Sequence, residues 1–274
     1  MNKIYLIIIN MKKILLLIIL YNILLIISFN YNIKKVIYYW KNINKIAIPY
    51  DLDDFSYIKK YEMIYLLNKN IHKNIYNFIS SNSIPKIYPN ISKKSIWTNE
   101  FENVMQPILK NYNTILLEIK NSLKYNNLYL PIGKHYGDEE IKKWKSCNII
   151  KDRSVLNNMN LYFPNTIKLI NNLELFYGWL FVSILEPNAY IPKHRGRYNH
   201  KLTCHIGIEG LDNCKFIIDN KIIKWEKGNF FVFNDFNYHE VKHEGKENRI
   251  VLIFDLFHPE LSKKEIEQIK QIGI

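Results

Sequence analysis

Residues 229–257 read NFFVFNDFNYHEVKHEGKENRIVLIFDLF, and this stretch decides the fold class. It contains three runs rich in aromatic and β-branched residues, NFFVFND, YHEVKH and RIVLIFDLF, separated by short polar segments. Runs of this composition and length are typical of strands rather than helices. The segment therefore predicts three consecutive β-strands.

The same pattern continues towards the N-terminus. Five further candidate strands are GWLFVSILEP, the run into IPKH, LTCHIGIEG, CKFIID and KIIKW. Asp219 and Asn220 predict a tight hairpin between two of these strands, and Lys227 with Gly228 predicts a turn before another. Eight short strands at this spacing predict a mainly β domain over residues 127–274, a double-stranded β-helix of the jelly-roll or cupin-like type.

The N-terminus carries an apolar run from Ile14 to Phe29 with lysines on both sides. The run is shorter than the ~20 residues that a spanning helix needs, but tilt and snorkelling lysines extend its reach. Residues 1–35 are predicted to be an uncleaved signal anchor, with a cleaved signal peptide as the alternative. A single-pass anchor helix of this kind predicts that the bulk of the chain lies in the endoplasmic reticulum lumen or secretory pathway.

Residues 36–126 are predicted to be helical and loop material that flanks the β domain, with apolar residues at helical spacing in residues 61–79 and 104–119. The net charge of +13 accompanies lysines spread along the whole chain. Basic residues interleaved with stacking aromatics are absent, so no nucleic-acid partner is predicted. Cys147, Cys204 and Cys214 lack the spacing of a disulfide framework or a zinc site.

Six of the eight histidines of the chain lie between residues 194 and 258, within the predicted β domain, which makes it the place for a non-haem metal site. His194 ends one candidate strand, His239 begins a distant one, and Arg249 lies on another. Imidazoles suit ferrous iron, and a guanidinium binds a carboxylate through two parallel hydrogen bonds. The usual triad adds a carboxylate two residues after the first histidine, where this chain has Gly196. His200 and His243 are expected to be solvated, and Trp225 is expected to be a packing residue.

Several strings in this half closely resemble the aspartyl/asparaginyl β-hydroxylase family. These strings are HRGRYN, WEKGNFFVFNDFNYHEV and RIVLIFDLFHPEL, together with FPNT and FVSILEPNAYIPKH. The resemblance covers roughly residues 128–261, and it includes the absence of the carboxylate at Gly196. It implies an Fe(II)-dependent oxygenase that consumes 2-oxoglutarate and O2.

The resemblance also implies roles for individual residues. His194 and His239 are similar to the iron ligands of the family, and Arg249 to the partner of the distal carboxylate of 2-oxoglutarate. Ser183 resembles a hydroxyl that supports the same carboxylate, and His205 a histidine that contacts the other end of the cosubstrate. The family usually has an arginine where this chain has Thr203, and Lys201 is a candidate to replace it.

Three functions remain open from the sequence. The resemblance implies hydroxylation of the β-carbon of Asp or Asn in protein domains of the secretory pathway. Relatives with the same signature make a lipid acyl chain an alternative substrate. The third hypothesis is a binding module that kept the jelly roll but lost turnover.

Overall fold

Two antiparallel β-sheets dominate the computed structural model, which describes residues 87–132 and 143–272. Strands β1 to β11 are Leu130–Pro131, Trp144–Lys151, Ser154–Val155, Phe176–Leu185, Ala189–His194, Lys201–Glu209, Cys214–Ile218, Lys221–Ile223, Phe230–Phe233, His239–His243 and Arg249–Phe257. The larger sheet has the order β1-β2-β4-β11-β6-β9, with β3 beside β2. The smaller sheet has the order β5-β10-β7-β8.

The mainly β prediction is confirmed, and a strand lies at each of the eight candidate runs. At the predicted hairpin, Asp219 and Asn220 have φ of 46° and 63°. A two-residue turn of this type needs positive φ at both positions, which Asp and Asn tolerate. Strand β2 was not predicted, because its sequence WKSCNIIK mixes polar residues into the run.

Five helices accompany the sheets within the described residues. Helices α1 to α5 are Glu102–Lys110, Tyr112–Ser122, Met159–Tyr162, Pro164–Asn171 and Lys263–Ile272. The predicted helical segment 104–119 becomes α1 and α2, which meet at Asn111. Helices α1, α2 and α4 bury their apolar faces against the larger sheet in the largest hydrophobic cluster. The predicted division at residue 126 stays a prediction, and the helices before it share this core with the sheet.

Buried polar groups fix two helix starts. The Glu118 carboxylate accepts four hydrogen bonds of 2.7–2.9 Å from Asn165 and Thr166 at the first turn of α4. At α5, the Ser262 hydroxyl accepts from the Glu265 backbone N–H, while the Glu265 carboxylate accepts from the Ser262 N–H. This reciprocal arrangement is a capping box, and it satisfies donors that a helix start leaves open.

A second hydrophobic cluster lies between the two sheets and contains residues of both. The inner faces therefore pack on each other as in a jelly roll. None of the helices in the described residues is long and apolar enough to cross a membrane. The predicted anchor of residues 1–35 and the predicted helix of residues 61–79 lie outside the described residues.

Candidate active site

His194 and His239 face each other at one end of the space between the sheets. They lie at the end of β5 and the start of β10, and His239 is directly opposite His194 in the antiparallel pairing of these strands. The centroids of the two imidazole rings are 4.2 Å apart, and the ring planes meet at 57°. Two residues separated by 45 positions thus form one pair of nitrogen donors.

Backbone carbonyls set the tautomer of both rings. The Nδ1 of His194 lies 2.7 Å from the Pro192 carbonyl oxygen, and the Nδ1 of His239 lies 2.9 Å from the Asn237 carbonyl oxygen. A carbonyl oxygen only accepts, so each Nδ1 carries the proton and donates it, and the lone pair of each ring is on Nε2. Histidines that bind metals are oriented in the same way.

Burial keeps both imidazoles neutral. It lowers the pKa of His194, and together with the nearby His194 it lowers the pKa of His239 to about 3. A neutral ring is the form that binds a metal cation. The donor set therefore fits a ferrous ion on a two-histidine site.

No third protein ligand joins the pair among the described residues, where no group of three or more His, Cys, Asp or Glu side chains is placed to hold a metal. A Cβ added at Gly196 would overlap the Asp235 carboxylate, which fills the space of the missing side chain. The Gly196 N–H also donates to the Asp235 carbonyl oxygen at 2.6 Å. The position of Asp235 thus leaves room only for glycine at position 196. The sequence had not indicated a role for Asp235.

Asp235 belongs to a buried ionic network. The Lys201 ammonium donates to Asp235 at 3.0 Å and to Asp255 at 2.7 Å, and the Thr203 hydroxyl donates to Asp255 at 2.9 Å. Burial by itself lowers the pKa of Lys201, but the two carboxylates outweigh it and raise the pKa above its usual value. Lys201 and Thr203 therefore act together on Asp255, and Lys201 extends the network to the edge of the metal site.

Arg249 lies in the same interior, fully buried, without a carboxylate partner among the described residues. Its Nη2 donates to the Ser183 hydroxyl at 3.4 Å, and the Trp144 indole N–H donates to the same oxygen at 2.9 Å. Burial lowers the pKa of Arg249 to about 10, so the guanidinium stays charged at neutral pH. A buried cation without an anion is costly, and the arrangement fits an anionic ligand.

His205 lies between these two parts of the site. Phe216 and Phe233 contact the rings of both His205 and His239, and Trp225 stacks on His205 with a centroid distance of 5.9 Å. Burial, Arg249 and His239 lower the pKa of His205 well below its usual value. The structure thus brings all five predicted site residues into one interior.

His200 and His243 are buried, so the expectation that they are solvated is wrong. His200 contacts the Tyr177 hydroxyl through Nε2 at 3.2 Å, and the Nε2 of His243 lies 2.7 Å from the Glu247 carbonyl oxygen. Strand parity was a usable signal for His243, because it lies four positions after His239 and so on the same face of β10.

Comparisons with known proteins found a family model and relatives that are similar to this chain. The family model described as aspartyl/asparaginyl β-hydroxylase matches residues 109–259. Aspartate beta-hydroxylase domain-containing protein 2 of Xenopus tropicalis is 26% identical over 172 residues, which cover 60% of this chain and 46% of that protein. The ornithine lipid ester-linked acyl 2-hydroxylase of Rhizobium tropici is 32% identical over 99 residues, 35% of each chain.

A solved structure of a 2OG-Fe(II) oxygenase family oxidoreductase from Burkholderia pseudomallei aligns with a TM-score of 0.35 at 14% identity, over 55% of this chain and 90% of its own. The chain spans about half the length, or less, of the two curated relatives described above.

Proposed function

The chain belongs to the aspartyl/asparaginyl β-hydroxylase family, and we propose that it is an Fe(II)- and 2-oxoglutarate-dependent oxygenase. One observation carries the proposal. Two neutral imidazoles with their lone pairs on Nε2 share an interior with a buried guanidinium that has no carboxylate partner among the described residues. This combination suits a metal ion and a ligand that bears a distant carboxylate.

His194 and His239 would hold Fe(II), and Arg249 with Ser183 would hold the distal carboxylate of 2-oxoglutarate. Neutral His205 would contact the end of the cosubstrate near the metal. Bound iron with 2-oxoglutarate and O2 supplies oxidation of a C–H bond to an alcohol, with succinate and carbon dioxide as the other products. The surrounding aromatic rings of Phe216, Phe231 and Phe233 exclude water from this reaction.

Asp235 would act beside the metal without being its ligand. Its Oδ2 is bound to Lys201, whereas its buried Oδ1 has no hydrogen-bond partner among the described residues. The carboxylate is close enough to His194 to raise the pKa of that ring against the effect of burial. Asp235 would therefore supply the negative charge that the two neutral ligands lack.

The substrate in this proposal is an Asp or Asn side chain of a protein in the secretory pathway. Lys193 and Arg195 flank His194, are exposed, and pair with no carboxylate among the described residues. Aromatic contacts hold these cations: the Arg195 guanidinium lies 5.0 Å from the Tyr238 ring and 5.3 Å from the Phe236 ring. A cationic rim attracts acidic substrates. The predicted N-terminal anchor would keep the domain in the compartment of such proteins.

A lipid acyl chain is the second candidate substrate. The named activity of the Rhizobium relative supports it, since that protein matches this chain over 99 residues. Exposed Tyr238 with neighbouring cations also suits the surface of an anionic membrane.

Succinate formation by the full chain in detergent tests the oxygenase proposal, with Fe(II), 2-oxoglutarate and either an Asp-containing peptide or an acyl lipid. His239→Ala is expected to abolish turnover, and Arg249→Met to raise the 2-oxoglutarate requirement by at least tenfold, since about 1.4 kcal/mol of binding corresponds to a factor of ten. His243→Gln, on the same strand, is the control and keeps turnover. Full activity in both site variants contradicts the assignment, and absence of succinate in every case favours a binding module.

A further inference from the structure

Three buried nitrogen atoms on neighbouring side chains of the interior have no hydrogen-bond partner among the described residues. They are the Nε of Arg249, the Nε1 of Trp225 and the Nδ1 of His205. The Arg249 guanidinium lies 5.2 Å from the centre of the Trp225 ring, and His205 stacks on that ring at 11° between planes. Arg249 and His205 therefore both contact the ring of Trp225.

The indole N–H of Trp225 differs from those of the other tryptophans that the structure describes. Trp97 donates to the Lys94 carbonyl oxygen at 2.7 Å, Trp144 to Ser183 at 2.9 Å and Trp179 to Asn148 at 3.2 Å. Trp225 is only 4% exposed, and its N–H has no acceptor among the described residues. Leaving such a donor unsatisfied costs about 1–3 kcal/mol, which an ordinary packing role does not explain.

We propose that Trp225 is a binding residue for the cosubstrate, and that its indole N–H donates to the distal carboxylate of 2-oxoglutarate. The inference rests on the proposed function. An ionised carboxylate has about four acceptor positions, enough for Arg249, Ser183 and Trp225 together. The sequence suggested only a packing role for Trp225, and the structure adds the unsatisfied donor beside the guanidinium.

The indole has a second effect through its ring face. The guanidinium lies over that face, so Trp225 also fixes the orientation of Arg249 through a cation–π contact. Phenylalanine keeps an aromatic face but has no N–H. Trp225→Phe therefore separates the hydrogen bond from the packing.

The first test is binding of 2-oxo acids to the full chain loaded with Zn(II), which binds imidazole and has no redox chemistry. Calorimetry compares 2-oxoglutarate with 2-oxobutanoate, which lacks the distal carboxylate. Trp225→Phe is expected to weaken the binding of 2-oxoglutarate about tenfold, as for loss of a hydrogen bond to a charged group. The affinity for 2-oxobutanoate is expected to stay unchanged. Trp97→Phe, which also loses a buried indole hydrogen bond, is the matched control and leaves both affinities unchanged.

A second measurement uses the wild-type chain and does not depend on folding of the variant. In a spectrum with ¹⁵N-labelled tryptophan, the Trp225 indole resonance should move downfield on addition of 2-oxoglutarate and stay in place with 2-oxobutanoate. Phe variants of the other tryptophans assign it by elimination.

The role of Trp225 would be overturned if wild type and Trp225→Phe bound 2-oxoglutarate with equal affinity. It would also be overturned if the substitution weakened the binding of both acids equally. An indole resonance that does not respond while calorimetry shows that 2-oxoglutarate is bound would do the same. Failure of the proposed function gives a different result, because the wild-type chain would then bind neither acid.

Discussion

The two faces of the larger sheet differ in polarity: one is apolar, and the other carries charged and polar side chains. On β11, Ile250, Leu252, Phe254 and Leu256 face the helices and join their apolar cluster. The alternate residues of the same strand face the smaller sheet and include Arg249 and Asp255. On β6, Leu202, Cys204 and Ile206 face the helices, whereas Lys201, Thr203 and His205 face the interior. Strand alternation thus separates an apolar face from one that carries chemistry.

Polar groups on the two faces also differ in how they are satisfied. On the helical side, the buried carboxylate of Glu118 has four donors. In the interior, the Nε of Arg249, the Nε1 of Trp225 and the Nδ1 of His205 have no hydrogen-bond partner among the described residues. The helical face therefore stabilises the fold. In the interior, the unsatisfied polar groups lower the stability and remain available to bind a ligand. Three substitutions test this division.

The largest effect is expected on the helical face. Phe254 is fully buried in the cluster with the helices, so Phe254→Ala should lower the free energy of unfolding by roughly 3–5 kcal/mol through lost burial and a new cavity. The affinity for 2-oxoglutarate should stay unchanged at a temperature where the variant is folded. Urea unfolding and calorimetry measure the two quantities. A large loss of affinity with little loss of stability would contradict the division of the sheet.

The buried ionic network should show the next largest effect. Lys201→Met leaves Asp235 and Asp255 without their cation, and removal of one partner of a buried pair costs about 3 kcal/mol. Urea unfolding at neutral pH measures the loss. Lys215→Met is the control, because Lys215 pairs with Glu244 at 3.1 Å with both side chains exposed, and such pairs contribute at most about 1 kcal/mol. Equal effects of the two substitutions would show that the network is not the source of the loss.

The smallest effect on stability is expected at Arg249, although it is buried more completely than Lys201. Arg249→Met removes a charge that has no counterion among the described residues, at the expense of a contact with Trp225 and a long hydrogen bond to Ser183. The free energy of unfolding should change by less than about 1 kcal/mol, or increase, while the affinity for 2-oxoglutarate falls at least about tenfold. Thermal unfolding without ligand checks the sign. If Arg249→Met lowered the free energy of unfolding as much as Phe254→Ala, Arg249 would be a structural residue.

Much of this organisation was predictable from local sequence. Runs of apolar residues identified the eight strands, and Asp219 with Asn220 identified the hairpin, because turn and strand preferences act over a few residues. His194, His239 and Arg249 were identifiable because few residue types bind a metal or a carboxylate. Parity would also have placed Lys201 and Thr203 on the face of His205, since they lie four and two positions before it on one strand.

Other features depended on contacts across the chain. Asp235 was missed because its importance comes from the space above Gly196, which lies 39 positions away in the sequence. His200 was expected to be solvated, but packing with Tyr177, Tyr88 and Tyr198 buries it. Trp225 appeared to be a packing residue, because sequence does not show whether an indole N–H has an acceptor.

The sequence by itself determined eight of the eleven described strands, the family and the residue types of the site, because hydrophobic periodicity and side-chain chemistry are local properties. Only the tertiary structure decided that His194 pairs with His239, that Lys201 joins two carboxylates and that Trp225 lies beneath Arg249. Those relations depend on strand register and on which faces the sheets bury, and both are set by packing of the whole domain.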